Sequence, residues 1–288
     1  MDTTRQVELI ECPRDAMQGI HAFIPTEVKV RYLNGLLRTG FHTIDIGSFV
    51  SPKAIPQMAD TAEVLDRIDM DGVRSRLLTI VANERGAEQA VAHARVDQLG
   101  YPFSISETFQ QRNTNTTIEG SWGRIARIAE IARQAGKELV VYISMAFGNP
   151  YGDPWNAEVA LRWADRLANE LGVRIIALAD TVGVARPADV TAMFNALVPA
   201  LPQVVFGAHL HARPDNWKPK VDAAWNAGCR RFDGALKGYG GCPMADDDLV
   251  GNLAMERLVH ELEGRGVATG LDMRQLERSL MDAATVFP

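Results

Sequence analysis

Cysteine is scarce: Cys12, Cys229 and Cys242 are the only three in 288 residues. Their odd number and wide spacing give neither a secreted disulfide framework nor a close-spaced metal pair, and they fit a reducing compartment. No apolar run approaches the roughly 20 residues of a membrane span, and the stretch from Met1 to Gln6 is too short and polar for a signal peptide. These absences lead us to expect a cytoplasmic protein with no membrane partner. Positive charge is not in excess either. Thirty Lys and Arg against 36 Asp and Glu give a formal net charge of −6, so there is no broad basic surface to neutralise a phosphate backbone, and nucleic acid is excluded as a partner. Linkers are missing too: the 14 Pro and 24 Gly are scattered singly, and no Ser/Gly-rich or like-charged run divides the chain. With 47% hydrophobic and 23% charged residues, the balance is that of a globular protein with a sizeable core. The expectation is one domain over 1–288.

Short β-branched or apolar runs alternate with amphipathic stretches, the pattern of βα units and a parallel sheet. Eight strands are predicted: Val7 to Cys12, Thr43 to Phe49, Arg76 to Ala82, Phe103 to Thr108, Leu139 to Ala146, Arg174 to Ala179, Val204 to His211 and Arg231 to Leu236. Among the helical patterns, Pro187 to Leu201 carries Val190, Met193, Phe194, Leu197, Val198 and Leu201 on one stripe, with Pro187 suited to the first turn. Arg124 to Ala135 is closed by Gly136, and Gly40, Gly100, Gly172 and Gly228 sit near the ends of others. Eight such repeats without an antiparallel hairpin predict a single (β/α)8 TIM barrel over about 7–265, with a short C-terminal helical extension over about 266–288. Chemistry is then expected at the C-terminal ends of the strands and in the loops that follow.

Four places there carry chemistry-bearing residues. Gly207-Ala208-His209-Leu210-His211 ends the seventh strand. Histidines two apart on a strand point the same way, which near a barrel mouth is inward, so the pair is either a metal site or two hydrogen-bonded imidazoles. Pro13-Arg14-Asp15 follows the first strand. Asp15 offers a hard oxygen ligand and Arg14 a permanent cation for a carboxylate or a developing enolate, or the two form a local ion pair. Only the eighth strand separates strands one and seven in the ring, which brings His209, His211 and Asp15 within reach of one ion. The loop Lys237-Gly238-Tyr239-Gly240-Gly241-Cys242-Pro243 leads toward Gly251-Asn252, taken as the start of the last barrel helix. Its glycines permit close approach to a ligand, and Cys242 is either a proton donor and acceptor or an incidental thiol. Asp180, before Thr181-Val182-Gly183, is an acid/base or positioning carboxylate, or a helix cap.

Taken in order, these segments resemble the 3-hydroxy-3-methylglutaryl-CoA lyase family of metal-dependent barrel lyases, which also include isopropylmalate and homocitrate synthases. Pro13-Arg14-Asp15-Ala16-Met17-Gln18 is similar to the family's Pro-Arg-Asp-Gly-Leu-Gln. Ser48-Phe49-Val50-Ser51-Pro52-Lys53 with Pro56-Gln57-Met58, Asp180-Thr181-Val182-Gly183, the His-x-His pair, Gly240-Gly241-Cys242-Pro243, Gly251-Asn252-Leu253-Ala254 and Thr269-Gly270-Leu271-Asp272 match further segments, over nearly the whole chain. The resemblance implies that Asp15, His209, His211 and Asn252 bind a divalent cation, Mg2+ or Mn2+. It further implies that Arg14 stabilises an enolate oxygen, that Cys242 transfers a proton, and that Gln18 and Asp180 support the site. The substrate contacts expected with it are Gln18, Asp45, Ser48, Lys237, Gly240 and Gly241.

The implied activity is cleavage of a 3-hydroxy-3-methylglutaryl-CoA-like thioester to acetyl-CoA and a 3-keto acid such as acetoacetate. That chemistry needs a cation to lower the alcohol pKa, a base such as His209 or Asp180, positive charge from Arg14 where the enolate forms, and an acid such as Cys242. The implied partners are an acyl-CoA thioester and further copies of the chain, in a homodimer or higher oligomer. Several departures leave the substrate open: Ala16 and Met17 replace Gly and Leu, Asp45 stands where Glu is common, Ala212-Arg213-Pro214-Asp215 follows His211 where Asp or Asn is usual, and Lys237 adds a cation beside the glycine loop. The alternatives are the same machinery on another 3-hydroxyacyl-CoA or run as an aldolase or synthase, a metal-dependent barrel hydrolase, and a barrel that serves only as a binding scaffold.

Overall fold

The computed structural model describes residues 6–241 and 250–287. Strands β1 (Glu8–Glu11), β2 (Thr43–Ser48), β3 (Arg76–Ile80), β4 (Gln98–Ser104), β5 (Glu138–Ser144), β6 (Ile175–Asp180), β7 (Val205–Leu210) and β8 (Arg231–Gly234) close into a barrel in chain order. Every pairing is parallel, including β8 with β1, where Leu9 opposes Phe232 and Ile10 opposes Asp233. The α-helices among the described residues are α1 (Pro13–Gln18), α2 (Thr26–Thr39), α3 (Thr61–Arg67), α4 (Glu84–Ala92), α5 (Glu107–Thr114), α6 (Ile118–Gln134), α7 (Ala157–Glu170), α8 (Pro187–Ala200), α9 (Trp217–Asn226), α10 (Met255–Gly264) and α11 (Met273–Val286). The fold is an α/β TIM barrel. No described helix is long and apolar enough to cross a membrane.

The local reasons are ordinary ones. In α7, Asn156 caps the start by accepting from Val159 N–H, and Ala160, Trp163, Ala164, Leu167 and Ala168 repeat at helical spacing and are buried against the barrel. A fully buried Leu such as Leu167 contributes about 1.5–3 kcal/mol through the water it leaves. In α8, Pro187 occupies the first turn and Val190, Met193, Phe194 and Leu197 are buried, as their period predicts. Beyond the ring, α11 packs on α2, with Asp272 N–H donating to Thr39 O and Thr39 Oγ1 lying 3.3 Å from Ser279 Oγ.

Strand four lies earlier than its sequence suggested, at Gln98–Ser104 rather than 103–108. Gly100 and Pro102 punctuate that stretch like a turn. Gly100 is instead a strand residue facing inward, and a Cβ there would lie 2.6 Å from Ile80 Cδ1 and 3.2 Å from Tyr142. It therefore closes no helix; the preceding α4 ends at Ala92. Two smaller shifts follow the same logic. Helix α6 begins at Ile118, six residues before Arg124, because Thr117 caps it, and β8 ends at Gly234, where the chain tightens into a 3₁₀ turn at Leu236–Gly238.

Candidate metal centre and active site

The chain leaves β1 and turns at once into α1, where Pro13 occupies the first turn without losing a needed N–H. This short helix carries Arg14, Asp15 and Gln18 over the barrel mouth. Arg14 Nη2 lies 2.5 Å from Asp45 Oδ2, with Nε donating to the same carboxylate. Its Nη1 donates to Asp15 Oδ1 at 3.0 Å and to Gln18 Oε1 at 2.9 Å. Gln18, one helical turn on, returns a bond from Nε2 to Asp15 Oδ1 at 2.7 Å. A guanidinium offers five N–H donors. Among the described residues these contacts leave one Nη2 hydrogen without an acceptor.

Across the ring, alternation along β7 turns His209 and the following His211 to the same side, with ring centroids 5.3 Å apart. Ligand atoms of Asp15, His209 and His211 all lie within 4.8 Å of one another. The His211 Nδ1 is 3.0 Å from Thr181 O. A carbonyl only accepts, so Nδ1 carries the proton and Nε2 presents a lone pair. That Nε2 is buried without a hydrogen-bond partner, which is costly for a polar atom unless something else meets it. The His209 Nδ1 meets Asp233 Oδ2 at 3.2 Å. Asn252 forms an isolated bridge with His211 and sends Nδ2 to Asp15 Oδ2 at 2.6 Å and to Tyr239 O at 2.9 Å. A half-turn of its amide would exchange that donor for an oxygen. One neutral imidazole, a second backed by a carboxylate, an ionised aspartate and an amide form a mixed N/O set that fits a divalent cation.

The electrostatics agree. Burial opposes charge on Asp15, yet Arg14 and the two imidazoles outweigh it and hold the carboxyl at about 2. Burial, aided by the charge of His209, lowers His211 to about 4 and keeps it neutral at physiological pH. His209 moves the other way: burial works against its charge, but Asp233 prevails and raises it. Burial disfavours charge on Arg14 as well, and Asp45 with Asp15 overcomes it, so the guanidinium is held charged.

Arg14, Asp15, Gln18, His209 and His211 line a cavity of about 290 Å³ whose other lining residues include Ile80, Pro102, Phe109, Tyr142 and Ala179. Asp45 sits behind Arg14, and Ser48 is buried with its Oγ accepting from Val50 N–H; neither is among the lining residues. Asp180 does not reach the cavity either. Its Oδ2 meets Lys220 Nζ at 2.7 Å and its Oδ1 accepts from Ala185 N–H, because alternation along β6 gives the inward face to Ala179, the register partner of His209, and leaves Asp180 on the other face beside Leu210. Of the roles expected for it, this geometry is that of a positioning carboxylate behind the site. Lys237 is exposed and faces a separate hollow with Arg213 and Arg257, its backbone N–H bound to Glu256. Gly240 and Gly241 take φ of 98° and 120°, and Gly240 passes so close that a Cβ would lie 2.6 Å from Asn252 Nδ2. Asn252 precedes α10 by three residues rather than starting it. Cys242 lies outside the described residues.

Sequence reasoning missed Asp233, Thr181, Tyr142 and Lys220. Asp233 shares its inward face with Arg231 in a short strand, an arrangement of charges that parity alone could have flagged. Lys220 falls on the stripe of Trp217, Val221 and Ala224, an apolar face where a lysine is out of place. Tyr142 stands edge-on to His209 at 5.5 Å, and Thr181 acts through a backbone carbonyl that no side-chain motif reveals.

The HMGL-like family model matches residues 6–282. The chain belongs to the HMGL-like family. Rat cytoplasmic 3-hydroxy-3-methylglutaryl-CoA lyase is 34% identical over 272 residues, covering 94% of this chain and 78% of the relative. Among solved structures, the HMG-CoA lyase of Brucella melitensis superposes with a TM-score of 0.90 at 32% identity, over 98% of both chains. An HMG-CoA lyase from Acinetobacter baumannii, in complex with coenzyme A and 3-methylmalate, gives 0.89 at 29% identity over 99% of this chain and 92% of that one. As an HMGL-like protein the chain is a carbon–carbon lyase, which removes the hydrolase and the inert scaffold from the alternatives.

Proposed function

We propose that this lyase cleaves a 3-hydroxy-3-methylglutaryl-CoA-like thioester to acetyl-CoA and a 3-keto acid, acetoacetate for the parent substrate, with a divalent cation held by Asp15, His209, His211 and Asn252. The observation that carries the reading is the buried, partnerless Nε2 of His211, facing an ionised Asp15 beside a fixed guanidinium. The coenzyme A bound by the Acinetobacter baumannii relative supports the thioester class, and the apolar residues lining the cavity suit an acyl chain. Bound there, Mg2+ or Mn2+ supplies Lewis acidity that lowers the pKa of the substrate hydroxyl and fixes its orientation.

The chain's own groups account for the rest. The hydroxyl proton leaves to His209, whose protonated ring Asp233 stabilises. The C–C bond then breaks, and its electron pair moves onto the thioester as an enolate, where Arg14 offers its remaining Nη2 hydrogen and a preorganised charge. That carbon next takes a proton, assigned to Cys242 on the match of Gly240-Gly241-Cys242-Pro243. With Nδ1 bound to Asp233, Nε2 is the one lone pair His209 has, so in this step that nitrogen would take the proton while Asp15, His211 and Asn252 would keep the cation. Gln18 orients Arg14 and Asp15, while Asp45 neutralises the guanidinium from behind. Reaction of the purified chain with Mg2+ or Mn2+ and a panel of 3-hydroxyacyl-CoA thioesters, followed by mass spectrometry, tests the reading. Metal-dependent release of acetyl-CoA and acetoacetate from the hydroxymethylglutaryl thioester is expected. Cleavage of a different thioester alone would move the substrate assignment, and cleavage unaffected by EDTA would remove the cation.

A further inference from the structure

Lys220 is a fully committed cation outside the cavity. It is 2% exposed, on the inner stripe of α9. A lysine so deeply buried needs an acceptor for each of its three N–H bonds. It has them: Asp180 Oδ2 at 2.7 Å, Gly183 O at 2.9 Å and His211 O at 2.9 Å. The first acceptor ends β6, the second lies in the turn after it, and the third is the residue that follows β7. One ammonium therefore clamps two neighbouring strand ends together.

The same turn holds the His211 ring. Thr181, next to Asp180, receives the Nδ1–H of His211 at 3.0 Å, while Thr181 Oγ1 accepts from Met145 N–H at 2.9 Å. Lys220 fixes the His211 backbone to this turn, and the turn's carbonyl then selects the ring tautomer that leaves Nε2 facing Asp15. Asp180 serves this device from the other side: its Oδ1 accepts from Ala185 N–H and its Oδ2 takes the ammonium, so neither oxygen is spare for substrate.

We infer that Lys220 is a positioning residue of the metal centre, a clamp that sets the tautomer and aim of His211 without touching substrate or cation. The inference rests on the metal-centre reading above, and it makes a claim about the metal-free protein as well. Groups that hold a ligand histidine from behind alter metal affinity by about 10–100-fold when removed.

Removing the ammonium alone strands Asp180 as an unpaired buried anion, so two variants are needed: Lys220→Met, and Lys220→Met combined with Asp180→Asn, which takes away both charges. Long-range 1H–15N spectra of metal-free, 15N-histidine-labelled protein report the His211 tautomer, and calorimetric titration with MnCl2 reports affinity. In the double variant we expect a thermal midpoint near that of the parent, mixed His211 tautomers and Mn2+ affinity about 10–100-fold weaker. A double variant that keeps the single Nδ1–H tautomer and the parent Mn2+ affinity overturns the clamp and leaves Lys220 as a counter-ion to Asp180. Should the parent chain bind no Mn2+, the proposed function fails, while the tautomer comparison still decides for or against Lys220.

Discussion

The Nδ1 of His209 and the Oδ2 of Asp233 lie 3.2 Å apart, and the two residues are register partners across β7 and β8. The sheet itself thus sets the tautomer of the imidazole at the cavity wall. Asp233→Asn keeps the volume but can present an N–H to Nδ1, which drives the ring proton to Nε2. Turnover and Mn2+ affinity should each fall about 10–100-fold, as steady-state kinetics and titration would read. Retention of both would mean that His209 does not depend on its carboxylate.

Arg14 tests the charge side of the chemistry. In Arg14→Gln the cation ligands remain, so Mn2+ affinity should stay within a few-fold of the parent, whereas turnover should drop about 10²–10³-fold. The variant also leaves Asp45 buried without its ion partner, which costs about 3–5 kcal/mol, so kinetics belong at a temperature where circular dichroism shows it folded. Unaltered turnover removes Arg14 from the enolate step.

Acid should loosen the metal-free protein through His211. Its pKa is lowered to about 4 in the fold, against about 6.5 in an unfolded chain. Between these values the unfolded state binds more protons, so stability falls as pH drops from 6.5 toward 4, by about 3 kcal/mol on a full traverse. His209, raised in the fold, contributes stability that is complete below 6.5 and so does not offset this slope, whereas Asp45, raised by burial to about 6, takes up its proton over much of the same window and opposes it, so the His211 contribution is read as the difference between parent and variant. Asp15, lowered to about 2, contributes above about 3.8 and loses that contribution only as pH falls further. Urea denaturation at pH 7 and pH 4.5 of the parent and of His211→Gln measures the difference. An equal acid sensitivity in both would contradict the neutral, buried imidazole.

Gly240 is confined by two features at once, a φ of 98° and an Asn252 Nδ2 that would sit 2.6 Å from a Cβ. Gly240→Ala should displace Asn252 and weaken Mn2+ binding about tenfold or more. Gly136→Ala has a similar positive φ with nothing within 4 Å and should cost only about 1 kcal/mol of stability. Equal Mn2+ affinity in the two variants would separate Asn252 from the centre.

Much of this was legible in the chain. Period-2 parity at His209 and His211, and the adjacency of strands one, eight and seven, bring Asp15 to the paired imidazoles before any coordinates exist. Strand four was misread because Gly100 and Pro102 satisfy a barrel interior in the same letters that elsewhere mark a turn. Adjacency to a glycine loop says nothing of direction, so the hollow that Lys237 shares with Arg213 and Arg257 was not legible in the chain. The sequence leaves Asp180 open between reaction and positioning because a strand-end carboxylate is equally suited to both; what distinguishes the two is Lys220, forty residues away in sequence and hidden on an apolar helix face.

A manganese-edge anomalous difference map from crystals grown with MnCl2 tests the account most directly. One peak within bonding distance of Asp15, His209 and His211, with the Asn252 amide oxygen turned toward it, is the predicted result. A map with no peak between those side chains, or with Mn2+ held elsewhere while the enzyme remains active, would contradict it.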